Sequence, residues 1–283
     1  MINFNGDILP EAALFLNSRN SAFHYGDAIV EWLRFSGDKF LFLESHYFRL
    51  MAAMRQLRME IPMSFTPEFW ESQMLYTLSA SGITSKPAQL KVSIFRNEDS
   101  ESGIPIESVR YIIECVPLQD AAYTLNYSNC NADIFKDYLM PVDGLSSLPL
   151  TGGPLRKLAK IYILENGFDT AILLNQRKEV CETLDGALFI RFDNLIVTPP
   201  EDSGCRLTIL REQLMQYINK NEEFNLEIRS ISPFDLQKAD EIFSVSEYAG
   251  FRSVNRFRKT TYSTAAAERL SQLLNASIFS KVS

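Results

Sequence analysis

Two charged side chains sit where chemistry could use them: Glu182, in the apolar run Val180-Cys181-Glu182-Thr183, and Arg49, in Phe48-Arg49-Leu50. A fixed carboxylate can hold a proton on a ligand, and an arginine can neutralise an anion through its fork of N–H donors. The plain readings are a solvated strand carboxylate and a surface arginine. Hydrolytic chemistry has less to build on. His24 and His46 are the two histidines in 283 residues, and no Ser-His-Asp or Cys-His arrangement can be read from them. His24 is expected to be a satisfied structural imidazole. Nothing has metal-ligand spacing, so no metal is expected. Cys115, Cys130, Cys181 and Cys205 show no paired spacing and read as free thiols of a reducing compartment.

These side chains must be positioned by a few elements. Before Glu182, apolar residues at Leu155, Leu158, Ala159, Tyr162 and Ile163 follow one helix face. Pro154 suits the first helical turn, and Asn166-Gly167 stops the helix through a left-handed cap. Lys157 and Lys160 fall off that face and are expected in solvent. Thr170 to Leu174 reads as a buried strand, Asn175 to Lys178 as its turn, and Val180 to Thr183 as the next strand. Arg49 lies on a helix from Glu44 to Leu57, on a side away from Tyr47, Leu50, Met51, Met54 and Leu57. Lys39 to Leu43 reads as a strand leading into it, and Asn17 to Asp27 as a strand with a tight turn. Thr66-Pro67 opens a second helix. Gln89 to Phe95 and Val109 to Val116 read as antiparallel neighbours, joined through an acidic, solvated turn from Arg96 to Gly103. Later elements are a helix from Arg206 to Asn219, a strand from Leu226 to Ser230, and a terminal helix from Thr264 to Leu274.

The pattern Gly167-Phe168-Asp169-Thr170-Ala171-Ile172-Leu173-Leu174, then Val180-Cys181-Glu182 and Leu188-Phe189, resembles the class IV aminotransferases. These are the fold-type-IV pyridoxal-phosphate (PLP) enzymes: branched-chain and D-amino-acid aminotransferases and aminodeoxychorismate lyases. Further matches are Phe23-His24-Tyr25-Gly26-Asp27, Glu44-Ser45-His46 with Arg49-Leu50, Thr198-Pro199-Pro200, and Ala239-Asp240-Glu241-Ile242-Phe243. Together they run from Met1 to about Tyr262. The resemblance implies that Glu182 is the carboxylate on the cofactor's ring nitrogen and Arg49 the arginine on its phosphate. Thr208, Ile209, Leu210 and Glu247 stand at the remaining phosphate positions. There the chain departs from the family. Ungapped counting back from Gly167 puts the Schiff-base lysine at Pro149, which has no amine. Thr208 replaces a glycine, Leu210 a hydroxyl donor, and Glu247 sets an anion where a phosphate would sit. With the phosphate gone, Arg49 needs another counter-ion, and an Arg49–Glu247 salt bridge is expected to supply it.

The resemblance implies an α/β (α+β) chain of two domains, at 1–117 and 123–283, with a linker at 118–122, forming homodimers. A hydrophobic content of 46% and a charged content of 22% are ordinary for a globular chain of this length. A net charge of −7 leaves no footprint for nucleic acid or anionic membrane. The amino terminus shows no signal peptide, and no run approaches the roughly 20 apolar residues of a membrane span, so a cytoplasmic protein is expected. The expected function is that of a family homologue that has lost PLP catalysis, binds no cofactor, and acts as a binding or partner protein. Two alternatives stand beside it. One is an active PLP-dependent aminotransferase or aminodeoxychorismate lyase with a substitute lysine. The other is a PLP-independent enzyme working through residues such as Glu182.

Overall fold

The computed structural model describes residues 1–13, 16, 20–96, 108–151 and 153–280. Residues 17–19 of the expected strand-and-turn, and 97–103 of the expected acidic turn, lie outside the described residues. The chain divides into two compact units, Met1–Ala121 with Pro149–Gly153, and Ala122–Leu148 with Pro154–Ser283. Helices in chain order are α1 (Ser21–Tyr25), α2 (Leu43–Gln56), α3 (Pro67–Ala80), α4 (Pro154–Asn166), α5 (Ile209–Lys220), α6 (Pro233–Lys238) and α7 (Ala265–Phe279).

Among the described residues, the first unit holds a five-stranded antiparallel sheet in the order Asp7–Leu9, Ile2–Phe4, Val109–Pro117, Ala88–Arg96 and Ile29–Phe35. Val92 pairs with Ile113 on one side and Glu31 on the other, so Ala88–Arg96 is an interior strand buried along most of its length. α2 and α3 pack on this sheet, bringing Leu50, Trp70 and Met74 to Leu33 and Val92. Thr66 accepts the N–H of Phe69 and caps α3, with Pro67 at the first helical position.

Two expectations fail here. Asn20 to Gly26 forms a helical turn instead of a strand with a tight turn. The Asn20 side chain caps it by accepting the Phe23 N–H at 3.3 Å, and Gly26 ends it at φ 66°. Lys39 to Leu43 is no strand either: Phe40 makes one bridge with Phe35 before Phe42, at φ 56°, turns the chain into α2.

The second unit is built on an eleven-stranded sheet among the described residues. Its central path runs Asn131–Met140, Thr170–Asn175, Val180–Thr183, Gly186–Phe192, Glu241–Ser246 and Gly250–Val254. Leu195–Thr198 branches from Gly186–Phe192 and pairs in parallel with Asn225–Ile228. α4 covers one face, where Ala159 and Ile163 pack with Phe135, Ala171, Leu173 and Cys181. Leu155 and Tyr162 flank that cluster, and Gly167 ends the helix at φ 70°. Leu158, expected on the same face, is exposed. It lies about 100° round the helix from Ala159, on the solvent side. The helix expected from Arg206 begins at Ile209, because the chain is still extended at its cap, Thr208.

Candidate functional site

Glu182 sits in the middle of the second unit's sheet, opposite Leu173 on one side and Ala187 on the other. It is wholly buried, not a solvated strand carboxylate. A carboxylate in that position must be hydrogen-bonded and charge-balanced. Arg156 of α4 donates from Nε to Oε1 at 2.7 Å, and the Arg206 N–H donates to Oε2 at 2.8 Å. The Arg206 guanidinium adds a longer ion pair at 3.7 Å. Burial pushes the carboxyl pKa up, but Arg156 and then Arg206 more than offset this, so it is held below the usual range. Glu182 is therefore an anion already answered by cations of its own chain. Burial raises the neighbouring Cys181 thiol well above its ordinary pKa, and Glu182 adds to the rise, so this sulfur is no nucleophile near neutral pH.

The first turn of α5 is the second feature. A helix start leaves N–H groups without helical partners, which makes it a natural place for an anion. Here both the second and third donors are taken by side chains. Leu210 N–H donates to Glu247 Oε1 at 3.0 Å, and Arg211 N–H donates to Thr208 Oγ1 at 3.1 Å. Thr208, Ile209, Leu210 and Glu247 are all buried. Of the expected phosphate positions, the fold thus brings Glu247 onto Leu210. Arg211, also buried, donates from Nη2 to the Pro199 carbonyl at 2.7 Å and pins the Thr198-Pro199-Pro200 turn to α5.

Arg49 belongs to the first unit and has a carboxylate partner there. Its Nε donates to Glu31 Oε2 at 3.1 Å, and its Nη2 pairs with Oε1 at 2.5 Å. His46 Nδ1 lies 2.5 Å from the same Oε1. Glu31 and His46 are both buried. Burial raises the Glu31 pKa, while Arg49 and then His46 lower it by more, so this carboxyl too is held down. The premise that a lost phosphate leaves Arg49 without a counter-ion is corrected, because Glu31 is that counter-ion.

Pro149 also belongs to the first unit, although it is flanked in sequence by the second. Val30 N–H donates to the Pro149 carbonyl at 2.7 Å, Thr151 N–H donates to the Ala28 carbonyl at 2.8 Å, and Leu150 bridges to Ile29. Lys157 and Lys160 are exposed on α4, as their spacing indicates. Sequence reasoning passed over Arg156, Arg206 and Glu31. For Arg156 a signal was present: it lies about 60° round the helix from Ala159, whereas Lys157 lies about 160° away.

Over residues 28–257 the chain matches the family described as Amino-transferase class IV. The chain belongs to that family. Its curated relatives include the "Probable branched-chain-amino-acid aminotransferase" of Aquifex aeolicus. That protein is 24% identical over 265 residues, which cover 85% of this chain and 78% of the relative. Among solved structures, the branched-chain amino acid aminotransferase of Escherichia coli superposes with a TM-score of 0.85 at 18% identity. It covers 100% of this chain and 95% of its own. A putative 4-amino-4-deoxychorismate lyase from Legionella pneumophila gives 0.79 at 18% identity, covering 94% and 96%. At such identities these structures show a shared fold, the fold-type-IV architecture expected from the motifs. Class IV aminotransferases are PLP proteins. Among the described residues, no helix is long and apolar enough to cross a membrane.

Proposed function

We propose that this class IV aminotransferase-family chain has given up PLP catalysis and acts as a binding or partner protein, as a homodimer in the cytoplasm. The observation that carries this reading is the setting of the lysine position. Pro149 has no side-chain amine, and its carbonyl is engaged by Val30 N–H at 2.7 Å. The two lysines on the helix that follows, Lys157 and Lys160, are exposed. The groups at the other family positions do not fit the cofactor. Glu182 is paired with Arg156 and Arg206, and the Leu210 N–H is taken by Glu247.

Borohydride reduction of the purified protein after incubation with PLP, followed by peptide mass mapping, tests the reading. No pyridoxyl-lysine peptide is expected. An adduct at Lys157, Lys160 or any other lysine overturns it. Sedimentation velocity tests the dimer, for which a single species of twice the 32.3 kDa chain mass is expected.

The curated relatives favour a second reading, since the Aquifex aeolicus protein carries the name of a branched-chain-amino-acid aminotransferase. On that reading an amine elsewhere in this chain replaces the missing lysine, and the substrate is a branched-chain or related amino acid. The borohydride experiment separates the two. Turnover of amino and keto acids without bound PLP would instead support a PLP-independent enzyme using Glu182.

A further inference from the structure

We infer that Arg156 and Glu247 are internal replacements for the two charges of the family's cofactor. Arg156 stands for the protonated ring nitrogen against Glu182, and Glu247 stands for the phosphate at the first turn of α5. The inference rests on the reading that PLP is no longer bound. A buried carboxylate that loses its cationic partner is left uncompensated, which is strongly destabilising. Glu182 has no exposed surface, yet Arg156 Nε lies 2.7 Å from its Oε1. A helix start that loses an anion leaves donors unsatisfied. At α5 the anion comes from Glu247, a residue with 4% of its surface exposed, whose Oε1 accepts the Leu210 N–H at 3.0 Å. Each replacement has the sign of the group it replaces, cation for cation and anion for anion. Both act inside the second unit. At these two positions the chain's own charges stand where the ligand's would, so ligand-linked stabilisation there should be lost.

The inference predicts a latent anion site that Glu247 plugs. Thermal unfolding is followed with millimolar inorganic phosphate, against sodium chloride at matched ionic strength. Wild type should show no saturable phosphate effect. Glu247→Ala should unfold earlier and recover by about 2–4 °C in phosphate, saturably. Equal responses of wild type and Glu247→Ala overturn the inference. A second arm measures PLP retained after desalting: Pro149→Lys/Arg156→Gln/Glu247→Ala should retain it, and Pro149→Lys alone should not. A folded triple variant that retains none also overturns it. Trappable PLP on wild type defeats the parent reading. A PLP-free protein whose Glu247→Ala variant ignores phosphate defeats this inference alone.

Discussion

Arg49 Nε donates to Glu31 Oε2 at 3.1 Å, and both residues belong to the first unit. The arginine that family membership would set against a phosphate is thereby tied, through Glu31, to buried His46. Glu31→Ala leaves two cationic or polar partners around a vacated carboxylate and should cost about 3–5 kcal/mol in urea unfolding. Glu31→Gln keeps the shape and should cost less. A double-mutant cycle between Arg49→Gln and Glu31→Gln should show clear coupling. The expected Arg49–Glu247 pair remains a proposal, and the same cycle with Glu247→Gln tests it. Additivity within about 0.5 kcal/mol rejects the pair.

Restoring the lysine should not restore cofactor binding. Pro149→Lys supplies an amine, but Leu210 N–H is still taken by Glu247 and Glu182 by Arg156. Visible absorbance before and after PLP addition, with borohydride trapping, is expected to show no stoichiometric adduct. Tight, trappable binding by the single variant would show that the lysine was the sole deficit.

The Glu182–Arg156 pair predicts a pH dependence of definite sign. Burial raises the Glu182 pKa, and Arg156 and Arg206 lower it by more, leaving it below its ordinary value of 4.5. A depressed carboxyl contributes stability that is full above the unfolded value and is lost as pH falls through the folded one. Wild type should keep this contribution above the ordinary value of 4.5 and lose it as pH falls further. In Arg156→Gln the depression shrinks, so less stability is lost on acidification and the gap between the two proteins should close in acid. At pH 7 the variant should be less stable by about 1.5–3 kcal/mol, the scale of a hydrogen bond to a charged group. Overlapping pH–stability curves for the two proteins would remove Arg156 from this role.

Gly186 opens the strand beside Glu182, and a methyl group there would meet the Val245 carbonyl oxygen at 2.3 Å. That oxygen is backbone of the neighbouring strand and cannot swing aside. Gly186→Ala should therefore destabilise the second unit by about 1–3 kcal/mol or force a strand shift. Chemical denaturation measures the first outcome, and altered amide exchange along Glu241–Ser246 the second. A neutral substitution would mean that the two strands separate easily.

Much of this protein follows from local rules that a sequence displays. Thr66-Pro67 announces the start of α3, Gly167 the end of α4, and the apolar run Thr170 to Leu174 a buried strand, because caps and periodicity act over a few residues. Family motifs spaced along the chain identify the fold and single out Glu182, Arg49 and the start of α5. Local rules fail where neighbours compete. At Asn20 to Gly26 a side-chain cap wins over extended structure, and at Phe42 a left-handed residue cuts a strand short. Partner choice lies beyond local rules altogether. Arg156 reaches Glu182 across 26 residues, Glu247 reaches Leu210 across 37, and Arg49 reaches Glu31 across 18. Which cation answers which anion depends on distances of a few ångströms in a low-dielectric interior, and those are set only when sheet and helices pack.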